Sequence, residues 1–523
     1  MIDTQEKCGV ETPLRRRVLR HRRALLVLLA GALLPATISN PSEAHGLELT
    51  EWCEEYAPGL EIELRSRSGT PLLLELTGSD PETVVERVTI ESDHSSARFE
   101  VGDSERFELT LAPFREVGVH DLELTVETER GSCRRELVLG FSEFKWGRDN
   151  FRFTNARSPH GSVRPYSSVL FPWAQERFGA LQPEDEVILL EFAYRLFGGR
   201  IGRCYAFSGS KLRYISNPDL LPSYYDSVYA VREPVSSVQN EMNHLQNDIM
   251  FDQFVTRGYD LEASQSVEEL EREVKRILDE IADGRPAAFG YVAPERHHSL
   301  LAYGFIADPK SQQVTLIAAN NWGDEHNENI FSEAAERISI RLGEEYDEQR
   351  VRWVDTPLRV YEHAEHLFFV EVLPEYEHDA ATLNEFIDRR RERLRSEERT
   401  LVIVEQARDA VLEGSDGKKT GRASRRTHRD LDTVEYTRIE DTHLFEFPAA
   451  DELLLRVTPL DDNRDREEIS GTNVYVLSHP SSDVPDRAHS AIFSNLDKQG
   501  IMELKLALSA EAVRVVSKEK EED

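Results

Sequence analysis

The sequence predicts an α+β protein: a mixed helix-and-strand centre flanked by N-terminal and C-terminal all-β sandwich domains. Residues 45–143 and 400–517 alternate apolar and polar residues in short runs broken by Gly, Pro, Asp and Ser, the period of half-buried strands. Residues 144–374 instead mix helical periodicity with continuous apolar runs. At 523 residues the chain exceeds one ordinary core, and its 39% apolar content is enough to fill several.

The first 44 residues stand apart. Six arginines between Arg15 and Arg23 precede the uncharged run Ala24 to Ile38, and small residues follow at Ser42 and Ala44. That order predicts a secretory signal peptide over 1–44, and the run is short of the roughly 20 apolar residues a spanning helix needs. The expectation is a secreted, periplasmic or cell-surface chain whose mature part has no stable membrane insertion. Without residues 1–44, which hold seven basic and four acidic residues, the net charge of −34 becomes −37. Such a surface repels nucleic acid and anionic lipid. It suits either a high-salt environment or an ordinary acidic exported protein.

From residue 45, "GLEIELRSR", "PLLLELTG", "RFELTLAPF" and "HDLELTVETERGSCRRELVLGF" read as strands of an immunoglobulin-like sandwich. In the centre, Ser266 and Glu269 form a capping box for a helix with Leu270, Val274, Ile277, Leu278 and Ile281 on one face. Gly284 closes it, and strands follow at "AAFGYV", "HSLLAYGFI" and "VTLIAANNWG". Residues 375–399 are a charged linker or solvated helix. Strands return to 517, with a hairpin turn at Asp416-Gly417, and 518–523 is a charged tail. "DDNRDREE", Asp461 to Glu468, lacks the sixth-position glycine and twelfth-position glutamate of a calcium loop and reads as a surface loop.

Cysteine usage then narrows the chemistry. Cys8 falls in the signal, leaving Cys53, Cys133 and Cys204. Cys53 and Cys133 bracket the first β region and are the natural disulfide in an oxidising compartment. Cys204 is left over. It follows a glycine turn in "IGRCYAFSG", where the first turn of a helix favours a thiolate. A nucleophile there needs a base and an orienting group. His298 opens an apolar strand after a turn, and Asn320 ends the strand 22 residues on; Asn321 is the alternative. His297 reads as a solvated loop residue, and Ser208 and Ser210 have no nearby base in sequence.

Three segments in order carry a resemblance. "GRCYAFS" resembles the nucleophile segment Gly-Ser-Cys-Trp-Ala-Phe-Ser of papain-like cysteine peptidases, with Tyr205 in place of tryptophan. "HSLLAYGF" resembles their histidine strand and "NNWG" their Asn-Ser-Trp-Gly. The resemblance implies a papain-like central domain over 144–374, similar to the papain-like or bacteriocin-processing-like peptidase domains of secreted bacterial proteins. It implies Cys204 as nucleophile, His298 as proton carrier and Asn320 as orienter, with no metal or cofactor and a peptide or protein substrate. The family's oxyanion glutamine has no counterpart: Gly198 stands six residues before Cys204, and Asn155 is a substitute donor by guess. That gap favours the alternative, a non-catalytic surface, adhesion or binding protein. Acyl transfer would use the same three side chains as hydrolysis.

Overall fold

The computed structural model describes residues 47–49, 53, 55–56, 61–67, 73–79, 85–92, 96–100, 106–110, 117–145, 147–151, 166–197, 203–231, 236–259, 263–293, 296–319, 335–342, 351–355, 359–424, 426–439, 441–449, 453–459, 472–479, 489–496, 502–509 and 512–514. Across these residues the chain is α+β. The expected signal segment, Asn155, Asn320, Asn321 and the acidic loop at 461–468 lie outside them.

The first β region supplies strands to two sheets. Leu47–Leu49, Glu61–Arg67, Leu73–Ser79 and Arg106–Thr110 form a four-stranded antiparallel sheet in that order. Val85–Ser92, Ser96–Glu100, Gly118–Thr128 and Gly131–Phe141 belong to an eleven-stranded sheet. Cys53 and Cys133 are disulfide-bonded across 80 residues of sequence. A link closing a loop of that length removes about 4 kcal/mol of unfolded-state entropy in the chain-entropy model.

The larger sheet runs on past residue 143. Its pivot is the strand Arg296–Asp308, whose first half pairs with Ala287–Ala293. From Gly304 to Ala307 the same strand pairs with Phe141 to Val138, and its opposite side pairs with Gln313–Ala319. The N-terminal and central regions are thus joined through backbone hydrogen bonds. A buried ion pair reinforces the junction: Arg135 Nε donates to Asp308 at 3.0 Å, and Ser311 Oγ donates to the same carboxylate at 2.6 Å.

Helices cover both faces of the central strands. Val267–Ala282 begins at the expected capping box, with Glu269 N–H donating to Ser266 Oγ and Ser266 N–H to the Glu269 carboxylate. Its apolar stripe packs on Phe289, Tyr291, Leu300 and Leu367. The other face receives Cys204–Ser216 and Ser236–Met250, the latter running on as a π-helical turn over Phe251–Thr256. At the outer strand His366–Phe369, the Gln265 amide donates to the Leu367 carbonyl at 2.7 Å and accepts its N–H at 2.9 Å. Phe369 N–H donates to Glu273. Side chains thus occupy an edge that would otherwise offer a row of unpaired backbone groups.

Residues 375–399 contain a helix, Ala380–Ser396, capped by Asp379. Arg390 on it donates to Glu191 and Glu446, and Arg195 donates to the same two carboxylates, tying this helix to Pro183–Phe197 and to the C-terminal region. That region is two packed sheets of five and six strands, with Val402, Phe445 and Val476 of one meeting Leu412, Leu455 and Val457 of the other. Glu405 reaches out of it into the helices. Its fully buried carboxylate accepts from Ser167 N–H and Oγ, Tyr194 OH and Tyr475 OH, and burial raises its pKa.

Inside the C-terminal core, His443 lies between Tyr436 OH at 2.9 Å and the Ala407 carbonyl at 3.1 Å. Burial pushes its pKa down to about 4. An unfolded histidine takes its proton near pH 6.5. Between 6.5 and about 4 the unfolded chain therefore binds more protons, and stability falls as pH falls. The destabilisation caused by His443→Gln should accordingly be largest above pH 7 and shrink toward pH 4. Denaturant unfolding of both proteins across that range checks this, and a pH-independent gap would contradict it.

Candidate active site

Cys204 is the first residue of the helix Cys204–Ser216, and its thiol is buried and outside any disulfide. A helix start leaves its first N–H groups without intrahelical partners. Arg203 occupies the cap position with no side-chain capping bond. Phe207 N–H returns to the Arg203 carbonyl at 2.8 Å, and Ala206 N–H donates to Gln246 Oε1 at 2.9 Å. Among main-chain groups, the N–H of Ser299, then those of Tyr205 and Cys204, favour the thiolate. Burial is the largest influence and pushes the thiol up to about 12, while these three main-chain donors act in the opposite direction.

Ser299 N–H places the sulfur against the pivot strand. Gly290 is the pairing partner of Ser299 on one side. On the other side the strand Gln313–Ala319 reaches only as far as Leu301, where Ala319 pairs. Backbone N–H groups lie in the plane of a sheet, so the helix start meets this strand roughly level with that plane, at a stretch where no described residue pairs on that side.

Two histidines flank that point on opposite faces. His298 pairs with Tyr291, makes an edge contact with its ring at 5.8 Å, and is 4% exposed. It therefore shares the face covered by the helix Val267–Ala282. His297 and His366 both pair with Val292, which places them on the face of Cys204 and Tyr205. Thus His297, expected as a solvated loop residue, lies within a strand and is partly buried. Burial, then the nearby His366, pushes its pKa down to about 4. The structure brings Cys204 to the strand of His298; Asn320 follows directly after the end of the neighbouring strand and lies outside the described residues.

Tyr205 locks the helix start in place. Its ring meets Phe254 edge-on at 6.3 Å, and Phe254 meets Phe368 at 5.7 Å. Gly290 makes this approach possible: a Cβ there would lie 2.5 Å from the Phe368 ring and 3.2 Å from Tyr205 OH. Gln246 was not foreseen. Nothing in its local sequence marks it, since its partner Ala206 is 40 residues away. Among the described residues no group of three or more His, Cys, Asp or Glu is arranged to hold a metal, and no helix is long and apolar enough to cross a membrane.

Gly290→Ala forces either Phe368 or the helix start to move. Overpacking of this kind costs about 1–3 kcal/mol, which denaturant unfolding of the variant should show; an unchanged midpoint would mean that Phe368 yields freely. Comparison with protein-family models finds no match for the chain, and comparison with curated proteins finds none either.

Proposed function

We propose that the protein is an exported thiol hydrolase of papain-like type that cleaves peptide or related amide bonds. The central region would supply a helical side carrying the cysteine and a β side carrying the histidine, between immunoglobulin-like domains. The observation that carries this reading is an unbridged, buried thiol at the start of a helix that packs on the strand of His298. Among the described residues Cys204 is the cysteine outside the disulfide, and so the one with chemistry to spare.

In this reading the His298 imidazole, which shares the Tyr291 face of the strand, must reach round the strand edge to take the Cys204 thiol proton as sulfur attacks the substrate carbonyl carbon. The oxyanion so formed lies by the main-chain N–H groups at the helix start. The C–N bond then breaks, the imidazolium returns its proton to the leaving amine, and a thioester remains on sulfur. Water, deprotonated by the same imidazole, releases the acid and regenerates the thiol; an amine in place of water would make the reaction acyl transfer. Asn320 would hold the imidazole in the productive tautomer. No cofactor enters these steps.

A second reading is favoured by one observation, the thiol pushed up to about 12 by burial. A thiol so rarely ionised suits a binding protein that keeps the architecture without the chemistry.

A peptidyl epoxide directed at thiols separates the two. The hydrolase reading expects stoichiometric labelling of the wild type, none of Cys204→Ala, and a rate lower by about 10²–10⁴ in His298→Ala, the usual worth of a general base. His297→Ala should label nearly as fast as wild type. Labelling that survives His298→Ala at full rate would reduce Cys204 to an accessible thiol, and no labelling at any pH or salt would leave the binding reading.

A further inference from the structure

We propose that Gln246 is a positioning residue for Cys204: by accepting the Ala206 N–H it fixes the first helical turn and reserves the N–H groups of Cys204 and Tyr205 for the sulfur. The inference rests on the reading of Cys204 as nucleophile, and it adds a residue from a different helix to that site.

Four N–H groups open the helix, and each has a destination. Phe207 N–H is taken by the Arg203 carbonyl. The Cys204 and Tyr205 N–H groups lie in the same turn as the thiol and favour its ionised form. Only Ala206 N–H needs an acceptor from elsewhere, because the cap position holds arginine where Ser, Thr, Asp or Asn would normally bond back to the turn. Gln246, 2% exposed on Ser236–Met250, meets that need at 2.9 Å. Its other end is occupied too, with Nε2 3.2 Å from Met250 Sδ, so the amide oxygen faces the turn.

The supporting helix is held at close range. Leu245 and Ile249 press on Gly209, where a Cβ would lie 2.6 Å from Ile249 Cδ1, so Gln246 is delivered by packing on either side of it. Without the amide oxygen, Ala206 N–H is a buried donor without an acceptor. A group in that state costs about 1–3 kcal/mol, which the turn relieves by opening toward solvent. Opening withdraws two of the three donors from the sulfur.

The pH dependence of Cys204 alkylation by iodoacetamide, followed by mass spectrometry on the full chain, tests this. Gln246→Leu should move the alkylation profile up by about one pH unit, a rate about tenfold lower at fixed pH, with an unfolding midpoint close to that of Gly290→Ala or better. A profile that superimposes on wild type, or moves down, overturns the proposal, whatever happens to stability. Should Gln246→Leu not fold, Gln246→Met also takes the amide acceptor away from Ala206 at similar volume, and its profile should move up likewise; superposition again overturns the idea. Failure of epoxide labelling in the wild type would remove the nucleophile reading and leave this profile shift to stand or fall separately.

Discussion

The site depends on one arrangement: a buried sulfur whose hydrogen-bond donors come from two separate elements. Two belong to the start of its own helix and the third to the strand at Ser299. Neither element alone makes the site, because burial opposes ionisation and each donor counters only part of that effect. The helix must therefore abut the strand edge to within hydrogen-bonding distance.

Much of the surrounding fold can be understood as holding that abutment. On the strand side, Arg296–Asp308 is hydrogen-bonded to three other strands, and the Arg135–Asp308 pair pins its far end. The disulfide secures the sheet that extends from there. On the helix side, Glu405 gathers Ser167, Tyr194 and Tyr475 around one buried carboxylate, and the Arg390 network binds two helices to the C-terminal sheets. Removing one partner from such a buried group leaves polar atoms without compensation, so these contacts specify position at the risk of large losses when broken. The C-terminal region is in this sense a brace for the helices and not an appended module.

What could be read from the sequence was local. The capping box at Ser266, the helix start at Cys204 and the strands at 287–293 and 296–308 follow from patterns within about fifteen residues. The disulfide followed from elimination among few cysteines. Long-range pairing was not legible: nothing around Phe141 announces Gly304, and nothing around Ala206 announces Gln246. His297 shows the limit most clearly. Two adjacent histidines look alike in sequence, and only the strand register against Tyr291 and Val292 assigns them to opposite faces. Asn320, the residue expected to orient the histidine, falls outside the described residues, so that part of the resemblance gains no geometry.

Burial pushes the Cys204 thiol up to about 12, so the nucleophile role proposed for it needs a mechanism that does not wait for free thiolate. Direct transfer of the proton to an imidazole brought to the strand edge would supply one, because the charge separated within a pair is less penalised by burial than an isolated anion. The same burial that keeps the sulfur neutral also holds His297 neutral, pushed down to about 4. A histidine in that state is a poor long-lived carrier of a proton, which sets it apart from the role proposed for His298. The two imidazoles therefore divide the strand: one on the sulfur's face held uncharged near His366, the other at the edge contact with Tyr291. A reacting carbonyl at the strand edge would meet the sulfur and the main-chain donors together, so that negative charge passes from sulfur to oxygen within one set of N–H groups. That economy of donors is what gives the order of the first helical turn its weight in the chemistry proposed for this site.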